Sequence, residues 1–183
     1  MRLRRRVVEP IDILCVCTGN LCRSPIMETL LRAELPHLRI ESRGTHAPVG
    51  EAWHPLALEV LAERGHVVSG HAQQLTARDV KAATLILTAE GWHRSEVVRQ
   101  DDTADEKTYA LMEARRLLKE TPSGLSLGNV VTALSERLRD EKSEHDDGIP
   151  DPVDGAIEDF RISRANVEDG IERLVGILNR SRA

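Results

Sequence analysis

The chain has 183 residues, with 25 Lys plus Arg against 30 Asp plus Glu and a formal net charge of −5. That length suits one domain with a full hydrophobic core, and no apolar run approaches the roughly 18–20 residues of a membrane span, so no membrane partner is expected. Mild acidity and only four aromatic residues (Trp53, Trp92, Tyr109 and Phe160) argue against a nucleic-acid partner, which selects basic surfaces and stacking side chains.

Residues 1–10 read as a flexible, charged lead-in whose Arg2–Arg6 cluster is solvated. It contains no secretory-type apolar stretch before Pro10, which predicts a cytoplasmic chain. Ile11 to Val16 is short and apolar, as a buried parallel strand is. The three cysteines, Cys15, Cys17 and Cys22, crowd the end of this strand and the loop after it. An odd, clustered set cannot staple distant parts of a fold, and no fourth ligand stands near enough for a zinc site. No metal or cofactor is therefore expected. Cys15, inside the strand, reads as a small buried hydrophobe.

Ser24 followed by Pro25 reads as a helix start, with Ser24 as cap, and Pro36 ends that helix. Leu38 to Arg43 alternates like a strand, and Gly44 to Trp53 is a loop. Pro55 opens a second helix that stops at Gly65, and Thr76 with Asp79 has the form of a capping box. Leu85 to Leu87 is a strand core, Glu90 to Arg99 a helix, and Lys107 to Met112 a weaker strand. Leu127, Val130, Val131, Leu134 and Leu138 keep helical spacing, as do Val167, Ile171, Leu174 and Leu178. The acidic stretches near 100–106 and 140–151 are expected to be mobile loops. Alternation of strands and helices predicts a single α/β domain over 1–183 with a parallel sheet covered on both faces.

In such a sheet ligands sit beyond the carboxyl ends of the strands, which here points to the loop CTGNLCRSP, Cys17 to Pro25. Successive backbone N–H groups running into a helix N-terminus make a phosphate cradle. Gly19 supplies backbone freedom, Asn20 tolerates the left-handed region, and Arg23 offers a planar fork of donors. A cysteine at the mouth of that cradle is held as a thiolate by those donors and by Arg23, poised for in-line attack on a bound phosphoryl group. A Ser24 hydroxyl donating to the sulfur helps it both attack and leave. The departing oxygen needs a proton, and Asp151, stiffened between Pro150 and Pro152, is the candidate acid, with Asp154 as fallback. His71 reads equally well as a satisfied polar residue or as a member of the site. Trp92 reads as a packing residue on its helix, and Trp53 as a residue that can line the cleft. His93 shows no constellation.

Cys17, then Arg23 and Ser24, within VCTGNLCRSP after an N-terminal strand, resembles the low-molecular-weight protein tyrosine phosphatase family. So do the late Asp151-Pro152 pair, Glu41 to Thr45 (ESRGT), and Ser69-Gly70-His71 before Gln74-Leu75-Thr76. The resemblance implies a flavodoxin-like three-layer sandwich with a four-stranded parallel sheet, no metal, and a phosphotyrosine-containing protein as substrate. It implies Cys17 as nucleophile, Arg23 as phosphate binder, Asp151 as general acid, and Thr18, Gly19, Asn20, Leu21, Cys22 and Ser24 as the substrate-binding loop. It also implies a hydrogen-bond web of Asn20, Ser24 and His71, and a Cys22 able to form a reversible disulfide with Cys17.

Departures from the pattern lie in the substrate walls. Val153 and Asp154 stand where the family carries an aromatic, His46 and Ala47 follow Gly44-Thr45, Gln73 replaces an Arg, and 101–147 is an enlarged segment. Alternatives on the same loop are a thiol-dependent arsenate reductase, a protein arginine phosphatase and a phosphoprotein-binding module. The first lacks relay thiols after Cys22; in the second, a Thr takes the place of the apolar Leu21.

Overall fold

The computed structural model describes residues 9–140 and 147–179; the Arg2–Arg6 cluster and the centre of the second acidic stretch lie outside them. Strand β1, Ile11–Cys17, lies between β2 (Ile40–Gly44) and β3 (Ala83–Thr88), and β4 (Thr108–Ala110) flanks β3. All pairings are parallel, in the order β2-β1-β3-β4. The helices are α1 (Arg23–Glu34), α2 (Pro55–Ala62), α3 (Ala77–Ala82), α4 (His93–Gln100), α5 (Leu111–Leu117), α6 (Leu127–Asp140) and α7 (Ile157–Leu178).

The period of two along β1 sorts its side chains between two cores. Ile13, Cys15 and Cys17 join Leu85, Leu87 and the apolar faces of α1, α2, α5, α6 and α7. Leu14 and Val16 join Ile86, Val80 of α3 and Val97 of α4 on the other face. Buried on both faces, β1 is apolar without a break from Ile13 to Cys17, and each fully buried Leu, Ile or Val contributes about 1.5–3 kcal/mol. Helix α7 crosses α5 at Gly170, where a Cβ would come within 2.7 Å of Leu111 Cγ. The chain leaves β1 toward β2 on one side and later returns to β3 on the other. The crevice at the carboxyl ends of β1 and β3 is thus the switch point of the sheet, the place where such folds bind ligands.

Several expectations are adjusted. The stretch at 102–107 is an ordered 3₁₀ turn, Asp102–Lys107, with Ala104 buried. The predicted strand at 107–112 shrinks to three residues, and Leu111 already begins α5. Helix α1 begins one residue before Ser24 and has no side-chain cap. The Ser24 hydroxyl faces a sulfur instead. The capping box of Thr76 and Asp79 is present, and Gly65 takes a φ of +85° after α2.

Candidate active site

Cys17 closes β1, and the chain turns sharply back over it. The turn is made by Asn20, whose φ is 55°; Gly19 does not take the left-handed conformation. The Asn20 N–H donates to Cys17 Sγ at 3.3 Å, and Ser24 Oγ lies 3.0 Å from the same sulfur. Asn20 Nδ2 donates to Ser24 Oγ at 3.0 Å and to Ser42 Oγ at 2.8 Å. Its Oδ1 accepts the Gln73 N–H at 2.9 Å. The Ser42 hydroxyl in turn donates a hydrogen bond to Glu28, which is paired with Arg32 at 2.8 Å. With the Asn20 amide donating into Ser24 Oγ, the Ser24 hydroxyl has two acceptors for its one proton, Cys17 Sγ at 3.0 Å and Arg43 O at 3.4 Å, and the sulfur is the nearer. The loop is held from β2 as well: Thr45 N donates to Cys17 O, and His46 N to Thr18 O, both at 2.9 Å.

Arg23, the first residue of α1, is 1% exposed. Its Nη1 donates to a Glu90 carboxylate oxygen and to Ile149 O at 3.0 Å; Nη2 donates to Asp151. Its Nε is buried and has no hydrogen-bond partner among the described residues. A charged donor in that state is costly unless a ligand completes it. The segment carrying Asp151 is pinned by the fully buried Ile149, whose N–H donates to Ala89 O at 2.8 Å. Val153 N caps the other Asp151 oxygen at 3.3 Å.

Three residues just beyond β3 complete the surroundings. His93 Nδ1 lies 3.2 Å from the Glu90 N–H and 3.3 Å from Glu90 O, and its Nε2 lies 3.1 Å from Thr18 Oγ1. Burial, followed by the charge of Arg23, pulls the His93 imidazole down to about 4, so it is neutral near pH 7. For Glu90, burial works upward, but the Trp92 N–H and the Arg23 guanidinium outweigh it and hold the carboxyl below its ordinary value. The Trp92 ring stacks on His93 at 3.9 Å between centroids, and its Nε1 donates to Glu90.

The structure thus brings Cys17, Thr18, Asn20, Arg23, Ser24 and Asp151 together. Gly19, Leu21 and Cys22 lie in the same loop, with Leu21 half-buried against the α1–α7 core. Cys15 and Cys22 are free thiols that burial pushes up, Cys22 to about 12. The side chain of His71 is not in the web. His71 is exposed, and its backbone forms a bridge with Ala52, while the neighbouring Gln73 backbone supplies the contact to Asn20. Trp53 is 8% exposed and packs against Gly70. Asp154 is exposed, and no bond joins it to the site among the described residues. Sequence reading missed Glu90, His93 and Trp92; the available signal was their position directly after the carboxyl end of a strand.

A doubly wound sheet whose switch point carries a thiol held by the Asn20 N–H, beside a buried arginine with a spare donor, has the layout of a cysteine-based phosphate-loop protein. The sequence profile described as low molecular weight phosphotyrosine protein phosphatase matches residues 12–121, and the chain belongs to that family. It is 44% identical over 87 residues to the low molecular weight protein-tyrosine-phosphatase Etp of Escherichia coli K12, covering 47% of this chain and 59% of that protein. The chain spans about three-fifths of the length of the first curated relatives it matches, 59% in each case. A protein-arginine-phosphatase of Geobacillus stearothermophilus is 31% identical over 166 residues, 90% of this chain and 94% of that one. Among solved structures, the Erwinia amylovora tyrosine phosphatase AmsI aligns with a TM-score of 0.71 and 28% identity, covering 98% of this chain and 100% of its own.

Proposed function

We propose that the chain hydrolyses phosphotyrosine in proteins through a phosphocysteine intermediate, in the reducing cytoplasm that keeps Cys17 a free thiol. The observation that carries this is the buried, unpartnered Arg23 Nε beside the Cys17 loop, with Asp151 on the same guanidinium. A phosphate seated on the loop satisfies that donor and lies over Cys17 Sγ. The sulfur attacks phosphorus, the ester P–O bond breaks, and a protonated Asp151 hands its proton to the departing phenol oxygen. Water then attacks the phosphorus, Asp151 takes its proton, and the S–P bond breaks to release phosphate. Asn20 N–H and Ser24 O–H stabilise the sulfur at both ends of the cycle. Positioning and charge supply most of the rate in such transfers.

The relative named as a protein-arginine-phosphatase supports a second reading on the same machinery. Leu21 offers an apolar contact and no hydroxyl to a guanidinium, which favours the aryl ester. Steady-state assays on p-nitrophenyl phosphate and on phosphotyrosine and phosphoarginine peptides decide between them. Cys17→Ser is expected to abolish turnover. Asp151→Asn is expected to slow phosphotyrosine cleavage by about 10²–10⁴-fold. The loss is expected to be smaller for p-nitrophenyl phosphate, whose leaving group needs less protonation. Equal rates for Asp151→Asn and the parent chain would remove Asp151 as the acid, and preferential phosphoarginine cleavage would install the second reading.

A further inference from the structure

We propose that Trp92 is the wall against which the substrate's aryl ring lies, an assignment that rests on the phosphotyrosine reading above. Of the four aromatic residues, Tyr109 and Phe160 are fully buried and Trp53 is 8% exposed, whereas Trp92 is 48% exposed. The acid loop offers no ring, since Val153 and Asp154 follow Asp151-Pro152. Trp92 is nonetheless not a loose surface residue. One face stacks on His93, which is itself fixed to Thr18 of the phosphate loop, and its N–H is anchored on Glu90.

A single carboxylate separates the indole from the phosphate-binding arginine, because Glu90 accepts from Trp92 with one oxygen and from Arg23 with the other. Glu90 and Ile149, both bonded to the guanidinium, also line a cavity of about 490 Å³ together with Trp92 and Pro150. The indole borders that cavity, whose lining reaches the guanidinium only through Glu90 and Ile149. An aromatic that is held at edge and face yet half bared to solvent loses little freedom when it takes a second ring.

The test compares the parent chain, Trp92→Ala and Trp92→Phe on a phosphotyrosine peptide, with inhibition by inorganic phosphate measured alongside. Trp92→Ala is expected to raise KM for the peptide roughly two- to tenfold, the range of an aromatic pair contact. The inhibition constant for phosphate, which has no ring, is expected to stay within a factor of two. Trp92→Phe is expected to recover most of the loss. An unchanged peptide KM in Trp92→Ala overturns the assignment. So does an equal rise in the phosphate constant, which would make the indole only a prop for His93 and Glu90. If Trp92→Ala does not fold, a Trp92→Leu chain whose peptide KM equals that of Trp92→Phe overturns it too. A parent chain that leaves phosphotyrosine intact instead brings down the underlying reading.

Discussion

Asn20 uses both polar atoms of its side chain to hold the loop, Nδ2 on Ser24 and Ser42 and Oδ1 on the Gln73 N–H, and accepts a φ of 55° to do so. His93 works on the same loop from outside, through the contact of its Nε2 with Thr18 Oγ1. Its neutrality has a thermodynamic consequence. Burial, and then Arg23, hold the folded imidazole at about 4, while the unfolded one titrates near 6.5. Between those values the unfolded chain binds more protons, so stability rises with pH and is lost as the solution is acidified. From pH 7 to pH 5 this residue is expected to remove roughly 2 kcal/mol of stability. Other carboxylates titrate as well, so the quantity to measure is a difference. Urea midpoints at the two pH values are expected to fall more in the parent chain than in His93→Gln, which keeps an N–H donor but cannot ionise. Equal falls would show that the folded ring protonates freely.

At the scale of elements, the end of β2 sets the shape of the site. A Cβ at Gly44 would come within 2.6 Å of Thr18 O and 2.9 Å of Asn20 N, both backbone atoms of the phosphate loop. Gly44→Ala therefore moves the loop off the Cys17 sulfur. Overpacking of this kind costs about 1–3 kcal/mol, and a displacement near 1 Å at reacting atoms costs on the order of 10²-fold in rate. The expected result is a modest fall in the urea midpoint with a far larger fall in kcat/KM; a fall in stability alone would show that the loop tolerates the shift. Gly44 also marks how far sequence reading reaches. β1, the loop after it and the start of α1 were legible because their signals are local: a buried apolar run, then Cys, Gly, Asn, Arg and Ser at fixed spacing. Asp151 was legible only through its two prolines and the need for an acid. The strand read over 107–112 runs too far because the apolar positions at its end serve a strand or a helix equally; Glu113, whose carboxylate accepts from Ala110 N at 3.1 Å, settles the start of α5 at Leu111. The roles of Glu90, His93 and Trp92 arise from β3 lying beside β1, a neighbour relation that no local pattern carries. His71 was assigned to the web through resemblance, whereas here the backbone of Gln73 makes that bond.

For the whole molecule, Arg23 is the point where distant parts of the chain meet. It begins the first helix, yet its guanidinium holds Glu90 beyond β3 and the Ile149–Asp151 segment that leads to α7. The fold thus places a buried cation between two carboxylates and leaves one of its donors without an acceptor among the described residues. An oxyanion that completes this set binds the folded chain and not the unfolded one, so it stabilises the entire domain by linkage. Inorganic phosphate at a hundredfold excess over its Kd is expected to add about 2.7 kcal/mol to unfolding. For a chain of this size that is a rise in Tm of roughly 5–10 °C. Sodium chloride at matched ionic strength is the control for screening. Arg23→Lys keeps the charge but presents a point donor in place of the planar fork, and is expected to lose most of the phosphate-dependent rise. An equal rise in that variant would place the anion away from the loop, and would remove the support that phosphate binding lends to the proposed attack by Cys17.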